Sequence, residues 1–166
     1  MSMTDSTQKL LGSVSATVRE FEARYQETGE TYNIFKAKGI EEKETILCSV
    51  IANLLNPNGT HGRGSLYLKH FMKAINPLIG QADTLNLART RVTTEYSIDV
   101  NDKRRRIDIA IDDARVFIPI EVKIKHREGE GQLADYAAFS RKMNAGSGFG
   151  RVLFLTPDGR ESKETP

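Results

Sequence analysis

Two short alternating runs, separated by a turn, constrain this chain more than any other feature. From Arg106 to Asp112 the residues alternate, with Ile107, Ile109 and Ile111 on one face and Arg106, Asp108, Ala110 and Asp112 on the other. From Val116 to Lys125 the pattern returns. Val116, Ile118, Ile120, Val122 and Ile124 share one face, and Phe117, Pro119, Glu121, Lys123 and Lys125 share the other. Between the runs, Asp112-Asp113-Ala114-Arg115 has turn chemistry. A period of two with β-branched residues predicts a hairpin covered on at least one face. Pro119 interrupts the second strand and cannot donate to a ladder. A bulge or a one-sided gap in hydrogen bonding is expected there.

The rest of the chain surrounds this hairpin with helices. Val14, Val18, Phe21 and Tyr25 recur at helical spacing and predict a helix over 6–27. A second helix is expected over 41–55, ended by Asn56-Pro57-Asn58-Gly59, and a third over 64–75, closed by Pro77. Residues 91–99 read as a strand, 130–143 as a helix, 146–150 as a link and 151–155 as a last strand before the turn Thr156-Pro157-Asp158-Gly159. The order of elements predicts an α/β sandwich on a mixed sheet, and 166 residues suit one domain.

Several classes of function are disfavoured. No apolar run is long enough for a membrane span, and the polar N-terminus lacks a signal-peptide core. The single cysteine, Cys48, cannot form an internal disulfide, which fits a reducing cytoplasm. A net charge of +2 argues against a polybasic coat protein, but it leaves nucleic acid open as a substrate, because the local field of a cleft decides that.

The charges inside the apolar strands carry the chemistry. Asp108 lies on the polar face of one strand, and Glu121 and Lys123 lie two apart on the next, so a tight hairpin brings them together. Converging carboxylates repel unless a cation lies between them. A hard divalent ion accepts one or two carboxylates and keeps positions for water and phosphate. Lys123 beside it would orient the attacking water and stabilise charge growing on phosphate. Gln132 and Tyr136, four residues apart, share one face of the following helix.

Three stretches together resemble a known family: Arg106-Ile107-Asp108-Ile109-Ala110-Ile111, Ile120-Glu121-Val122-Lys123-Ile124, and Gln132-Leu133-Ala134-Asp135-Tyr136. They look like the successive core motifs of the PD-(D/E)XK nuclease superfamily, in the bacterial and phage group with a Gln-x-x-x-Tyr helix. Asn33-Ile34-Phe35, Glu44 through Pro57, Thr60 through Gly64, and Leu153 through Gly159 are also similar to that group, so the likeness spans about residues 33–159, after an N-terminal helical segment, 1–32. The resemblance implies a restriction-endonuclease-like α/β core, a mixed four-stranded sheet flanked by helices. It implies cleavage of nucleic acid, usually DNA, with Mg²⁺ or, in its place, Mn²⁺. Asp108, Glu121, the carbonyl of Val122 and Glu44 would be metal ligands, Lys123 the catalytic lysine, and Gln132 and Tyr136 residues lining the site. A place in defence or in phage and mobile-element biology follows from the group alone, and a homodimer would be in keeping with the superfamily.

The sequence departs from the group's pattern in places. Ile107 replaces the name-giving proline, Leu47 a frequent histidine and Asn53 a frequent tryptophan. The chain also ends soon after the fourth strand, where many relatives continue. A catalytically silent module that grips nucleic acid or a protein is the competing expectation.

Outside the triplet, Lys103 through Arg106 form a basic cluster before the Asp108 strand, and Arg104, Arg105, Arg106 and Lys125 are the expected nucleic-acid contacts, with His126 and Arg127 adding to the charge. Glu95 is a further acidic candidate. His61, in the Gly-rich stretch 59–64, suits an ordinary loop better than a phosphate cradle, since the stretch lacks the Gly-Lys-Ser/Thr ending of a P-loop. His70 stands alone, and Cys48 reads as a buried structural thiol.

Overall fold

In the computed structural model, which describes residues 3–29, 33–40, 42–79, 85–125, 129–144 and 150–164, the two alternating runs form neighbouring antiparallel strands. The elements are helices α1 (Met3–Thr28), α2 (Ile34–Ala37), α3 (Glu44–Leu55) and α4 (Leu66–Ile79), strands β1 (Arg91–Val100), β2 (Lys103–Asp112) and β3 (Phe117–Val122), helix α5 (Gln132–Met143) and strand β4 (Leu153–Leu155). The sheet order is β1-β2-β3-β4, with β4 parallel to β3 and the other two junctions antiparallel. This is the α/β architecture expected: a mixed four-stranded sheet with flanking helices. Among the described residues no helix is long and apolar enough to cross a membrane.

The hairpin turns follow from their residues. Asn101 and Asp102 have φ of 51° and 59°, as a two-residue turn matched to the strand twist requires, and Asn and Asp tolerate that region best after glycine. At the β2–β3 turn, Asp113 accepts the N–H groups of Asn86 (2.6 Å), Arg115 (2.9 Å) and Val116 (2.7 Å). Burial alone would raise the Asp113 carboxyl, but these three donors outweigh it and hold the group below its ordinary value.

Helices cover both faces of the sheet. Cys48, Ala52 and Leu55 of α3 and Leu68, Met72 and Ile75 of α4 pack on Ile109, Ile111, Ile118, Ile120 and Val122. On the other face Leu133 and Tyr136 of α5 pack with Ile98, Ile107, Ala110 and Phe117. At the far end of α5, buried Asn144 takes the N–H of Phe117 (2.6 Å) and returns a hydrogen bond to its C=O (2.8 Å).

Several expectations need correction. Ile107 packs in the α5 layer, not with Ile109 and Ile111, so the alternation slips at Asp108. The register places Asp108 opposite Glu95, whose φ of 56° marks the same distortion in β1. All of β3 is buried, so the face carrying Phe117, Pro119 and Glu121 is covered and not a polar surface. The strand also stops at Val122, which leaves Lys123 and Lys125 beyond it. The basic cluster lies within β2, because the hairpin turn is Asn101-Asp102. Pro77 falls inside α4; Pro77 and Lys73, whose carbonyl loses its partner, are both exposed, so water can satisfy it.

Pro119 sits opposite Ala110 in unbroken register, without the bulge. Phe117 turns its polar groups away from β2 toward Asn144, and Pro119, two residues on, presents the same edge. Pairing with β4 on that edge begins only at Ile120. The missing N–H therefore falls just before the ladder, as the one-sided gap anticipated.

The chain divides into two units, residues 1–41 and 42–166. In the first, Val14, Val18 and Phe21 of α1 are exposed, and Asn33 caps α2 by accepting the N–H groups of Phe35 (2.9 Å) and Lys36 (3.1 Å). His126, Arg127 and residues 146–149 of the expected link lie outside the described residues.

Candidate active site

The site forms where two strands part. β2 and β3 pair from Ile109–Asp112 to Phe117–Ile120 and then diverge. At the fork the N–H of Val122 donates to Asp108 Oδ2 at 2.8 Å, so a side chain stands in for the next ladder bond. One residue past the strand, the N–H of Lys123 donates to Leu155 O at 3.0 Å, and the N–H of Ile124 donates to Glu44 Oε1 at 3.0 Å. The first turn of α3 is thereby tied to the fork.

These bonds gather three carboxylates around one ammonium. Lys123 Nζ lies 2.6 Å from Glu121 Oε1, 3.6 Å from Glu44 Oε2 and 3.9 Å from Asp108 Oδ2, with the Val122 carbonyl at 3.3 Å. Glu121 is fully buried. Its Oε1 also accepts from Gln132 Nε2 at 2.9 Å, whereas no donor of the described protein reaches its Oε2. Gln132 is fixed in turn. Its Oε1 accepts the N–H of Gly129 (2.9 Å), and its Nε2 also donates to Tyr136 Oη (2.8 Å), whose own proton goes to Arg106 O.

Burial and crowding perturb Glu121 and Asp108. Burial pushes Glu121 up to about 7; the Lys123 ammonium opposes this and the neighbouring Asp108 adds to it. Burial likewise raises Asp108, against the Val122 N–H and Lys123. For Lys123, burial pulls the ammonium down, but Glu121, Asp108 and Glu44 outweigh it and the net shift is upward. Burial raises the Tyr136 phenol, which stays a neutral donor. Three carboxylates against one ammonium leave an excess of two negative charges if all are ionised, which a divalent cation would neutralise.

Among the described residues no three His, Cys, Asp or Glu side chains already form a metal cage. The donor set nevertheless suits a hard cation: carboxylates, a backbone carbonyl, and a buried carboxylate oxygen that no donor of the described residues reaches. Asp108, Glu121, Lys123 and Glu44 thus converge as the sequence suggested. Gln132 and Tyr136 join them from behind, since Tyr136 is fully buried and grips Gln132 and the β2 backbone.

The expected nucleic-acid contacts separate. Arg105 Nε pairs with Asp135 Oδ2 at 2.8 Å and Nη2 donates to Glu130 O at 2.9 Å, so this arginine anchors α5 and its guanidinium is already engaged. Arg104 and Arg106 are exposed, and Arg106 pairs with Glu95 at 2.8 Å. These three arginines and Ser97 line a cavity of about 460 Å³. Lys125 is exposed and paired with Glu42. His61 is structural: Nδ1 accepts the N–H of Arg63 (3.0 Å) and Nε2 donates to Asn56 O (3.1 Å). His70 is exposed on α4. Burial, with Asp108, Glu121 and Glu44 nearby, pushes the Cys48 thiol up to about 12, which leaves it unreactive.

Sequence reasoning missed the Arg105–Asp135 pair, and it missed Arg160, which donates to the carbonyls of Lys123 and Ile124. Neither carries a motif. The first joins residues thirty apart, and the second recognises backbone.

A family model described as the PD-(D/E)XK nuclease superfamily matches residues 32–165. No curated protein and no solved structure matches the chain.

Proposed function

The chain belongs to the PD-(D/E)XK nuclease superfamily, and from that premise we propose that it is a Mg²⁺-dependent nuclease hydrolysing phosphodiester bonds of DNA. The observation that carries this reading is the β2–β3 fork. Asp108 and the buried Glu121 meet there beside the ammonium of Lys123, and one Glu121 oxygen has no donor among the described residues.

In this reading Asp108, Glu121, the Val122 carbonyl and Glu44 hold the ion, Mn²⁺ substituting. When bound, Mg²⁺ supplies Lewis acidity and lowers the pKa of water. Lys123, only 12% exposed at its side chain, orients water and stabilises negative charge on the phosphate. Gln132 holds Glu121 through Oε1 and leaves Oε2 as the available ligand atom. Tyr136 keeps Gln132 in place. Arg104 and Arg106 on β2, together with Lys125, contact phosphates and position the strand without reading bases. Action on both strands of a duplex would favour a homodimer, which sedimentation would report. A part in defence or mobile-element biology has only the group likeness behind it.

The test is incubation with linear, circular and single-stranded DNA and with RNA, in Mg²⁺, Mn²⁺ or chelator. The reading expects metal-dependent cleavage of DNA that Lys123→Ala abolishes while the fold survives. Cleavage of RNA alone would overturn the substrate. Tight metal-independent binding without cleavage would identify a silent module.

A further inference from the structure

The segment after β4 returns to the site and holds it at two points. Arg160 donates to Ile124 O from Nη1 and Nη2, both at 3.1 Å, and from Nη2 to Lys123 O at 3.3 Å. Asp158 lies 3.4 Å from Nη1 and steadies the guanidinium. The N–H of Lys123 already donates to Leu155 O. Both backbone polar groups of Lys123 are therefore held by residues 155–160.

Four residues further on, Glu164 caps α5. Its carboxylate accepts the N–H of Gly131 and, at 3.1 Å, that of Leu133, and the Ser162 hydroxyl accepts the N–H of Glu164 at 2.9 Å. The N-cap residue of α5 is Gly131, which has no side chain to cap with. Glu164 supplies from a distance what a local Ser or Asp would supply, and its charge suits the positive end of the helix. Gln132, the residue that grips Glu121, lies between the two capped amides.

We propose that Arg160 and Glu164 are positioning residues of the active site, the first fixing the backbone that carries Lys123 and the second fixing the helix end that carries Gln132. The proposal rests on the nuclease reading for its catalytic consequence, while its structural part stands apart from it. Neither residue reaches the reacting groups, so each acts through its partner.

The test compares the full chain with Arg160→Ala, Arg160→Lys, Glu164→Ala and Glu164→Gln. Backbone amide exchange, the NMR signal of the Gln132 side-chain amide and steady-state cleavage of duplex DNA in Mg²⁺ are read for each. Glu164→Ala is expected to speed exchange at Gly131 and Leu133 at least about tenfold, leave the β2 amides unchanged and shift the Gln132 signal. Arg160→Ala is expected to speed exchange at Lys123. Each should lower kcat about tenfold with KM nearly constant, since groups are displaced and not removed. Arg160→Lys and Glu164→Gln should recover part of the loss, and they serve as the test if an alanine variant does not fold. Wild-type kcat together with an unmoved Gln132 signal in Glu164→Ala, or wild-type kcat with unchanged Lys123 exchange in Arg160→Ala, would overturn the proposal for that residue. If the wild-type chain cleaves no nucleic acid, the nuclease reading fails by itself, and the exchange and Gln132 signals still decide whether this segment holds the site.

Discussion

The Asp108 carboxylate accepts the Val122 amide proton at 2.8 Å, where a regular hairpin would offer a backbone carbonyl. The bond locks one acid of the site to the strand bearing the other, so Asp108 holds the fork in addition to the cation-binding role proposed for it. The two tasks separate by substitution. Asp108→Asn keeps an oxygen for the Val122 N–H but removes a charge that repels Glu121. Without metal, the variant should melt no lower than the wild type, and higher if relief of repulsion dominates, by about 1 kcal/mol. With Mg²⁺ it should lose most of the metal-induced rise in Tm and cleave at least about a hundredfold more slowly. Thermal melts with and without chelator, beside a cleavage assay, check both halves.

The raised Glu121 carboxyl sets a pH dependence. Its ordinary value is 4.5 and burial lifts it to about 7 in the fold. The folded chain therefore binds this proton more tightly than the unfolded one. The associated stability is fully present below about 4.5 and is lost as pH rises toward 7. The loss is on the order of a few kcal/mol at most, because Lys123 shares in the coupling. A cation that replaces the proton removes the slope. Denaturant titrations between pH 4.5 and 7 should show falling stability in chelator and a flatter profile in saturating Mg²⁺. Glu121→Gln should lose most of the slope seen in chelator, keeping only the smaller part that belongs to Asp108.

Gln132 uses both ends of its amide within the protein, on Gly129, Glu121 and Tyr136. Gln132→Leu would leave Glu121 Oε1 with Lys123 alone and let the carboxylate turn. The expected effect is a fall in kcat of roughly tenfold to a hundredfold with little change in duplex binding. Tyr136→Phe removes the donor to Arg106 O inside the core and should destabilise by about 1–2 kcal/mol. Kinetics and denaturation of the two variants separate a role in holding Glu121 from a role in packing.

How much of this was legible in the sequence depends on whether a feature is local. The strands and their antiparallel pairing could be read from the period of two, and Glu121-x-Lys123 from adjacency. The slip at Asp108 could not, because it arises from a distortion shared with Glu95 in another strand. The burial of Glu121 could not be read either, since an alternating pattern cannot say whether a helix covers the second face; α5 does. Arg105 looked like part of a free basic cluster because its partner Asp135 lies thirty residues away on that helix.

Arg105 and Arg106 make the last contrast testable, since adjacent residues of one charge have opposite assignments. The Arg105–Asp135 pair is partly buried and extended by the bond to Glu130 O, so Arg105→Ala leaves the Asp135 carboxylate of α5 without its ion-pair partner, with only the Asn101 amide still donating to its side chain among the described residues. It should lower stability by about 1–3 kcal/mol and change the salt dependence of DNA binding little. The Arg106 side chain is 66% exposed, and its pair with Glu95 lies in solvent, where such pairs contribute little. Arg106→Ala should leave stability nearly unchanged, weaken DNA binding across sequences alike, and reduce the salt slope by about one. Melting curves and binding isotherms at several salt concentrations, run on both variants, decide the matter. The division of labour drawn from the fold fails if Arg105→Ala loses DNA affinity without losing stability, or if Arg106→Ala leaves the salt slope where it was.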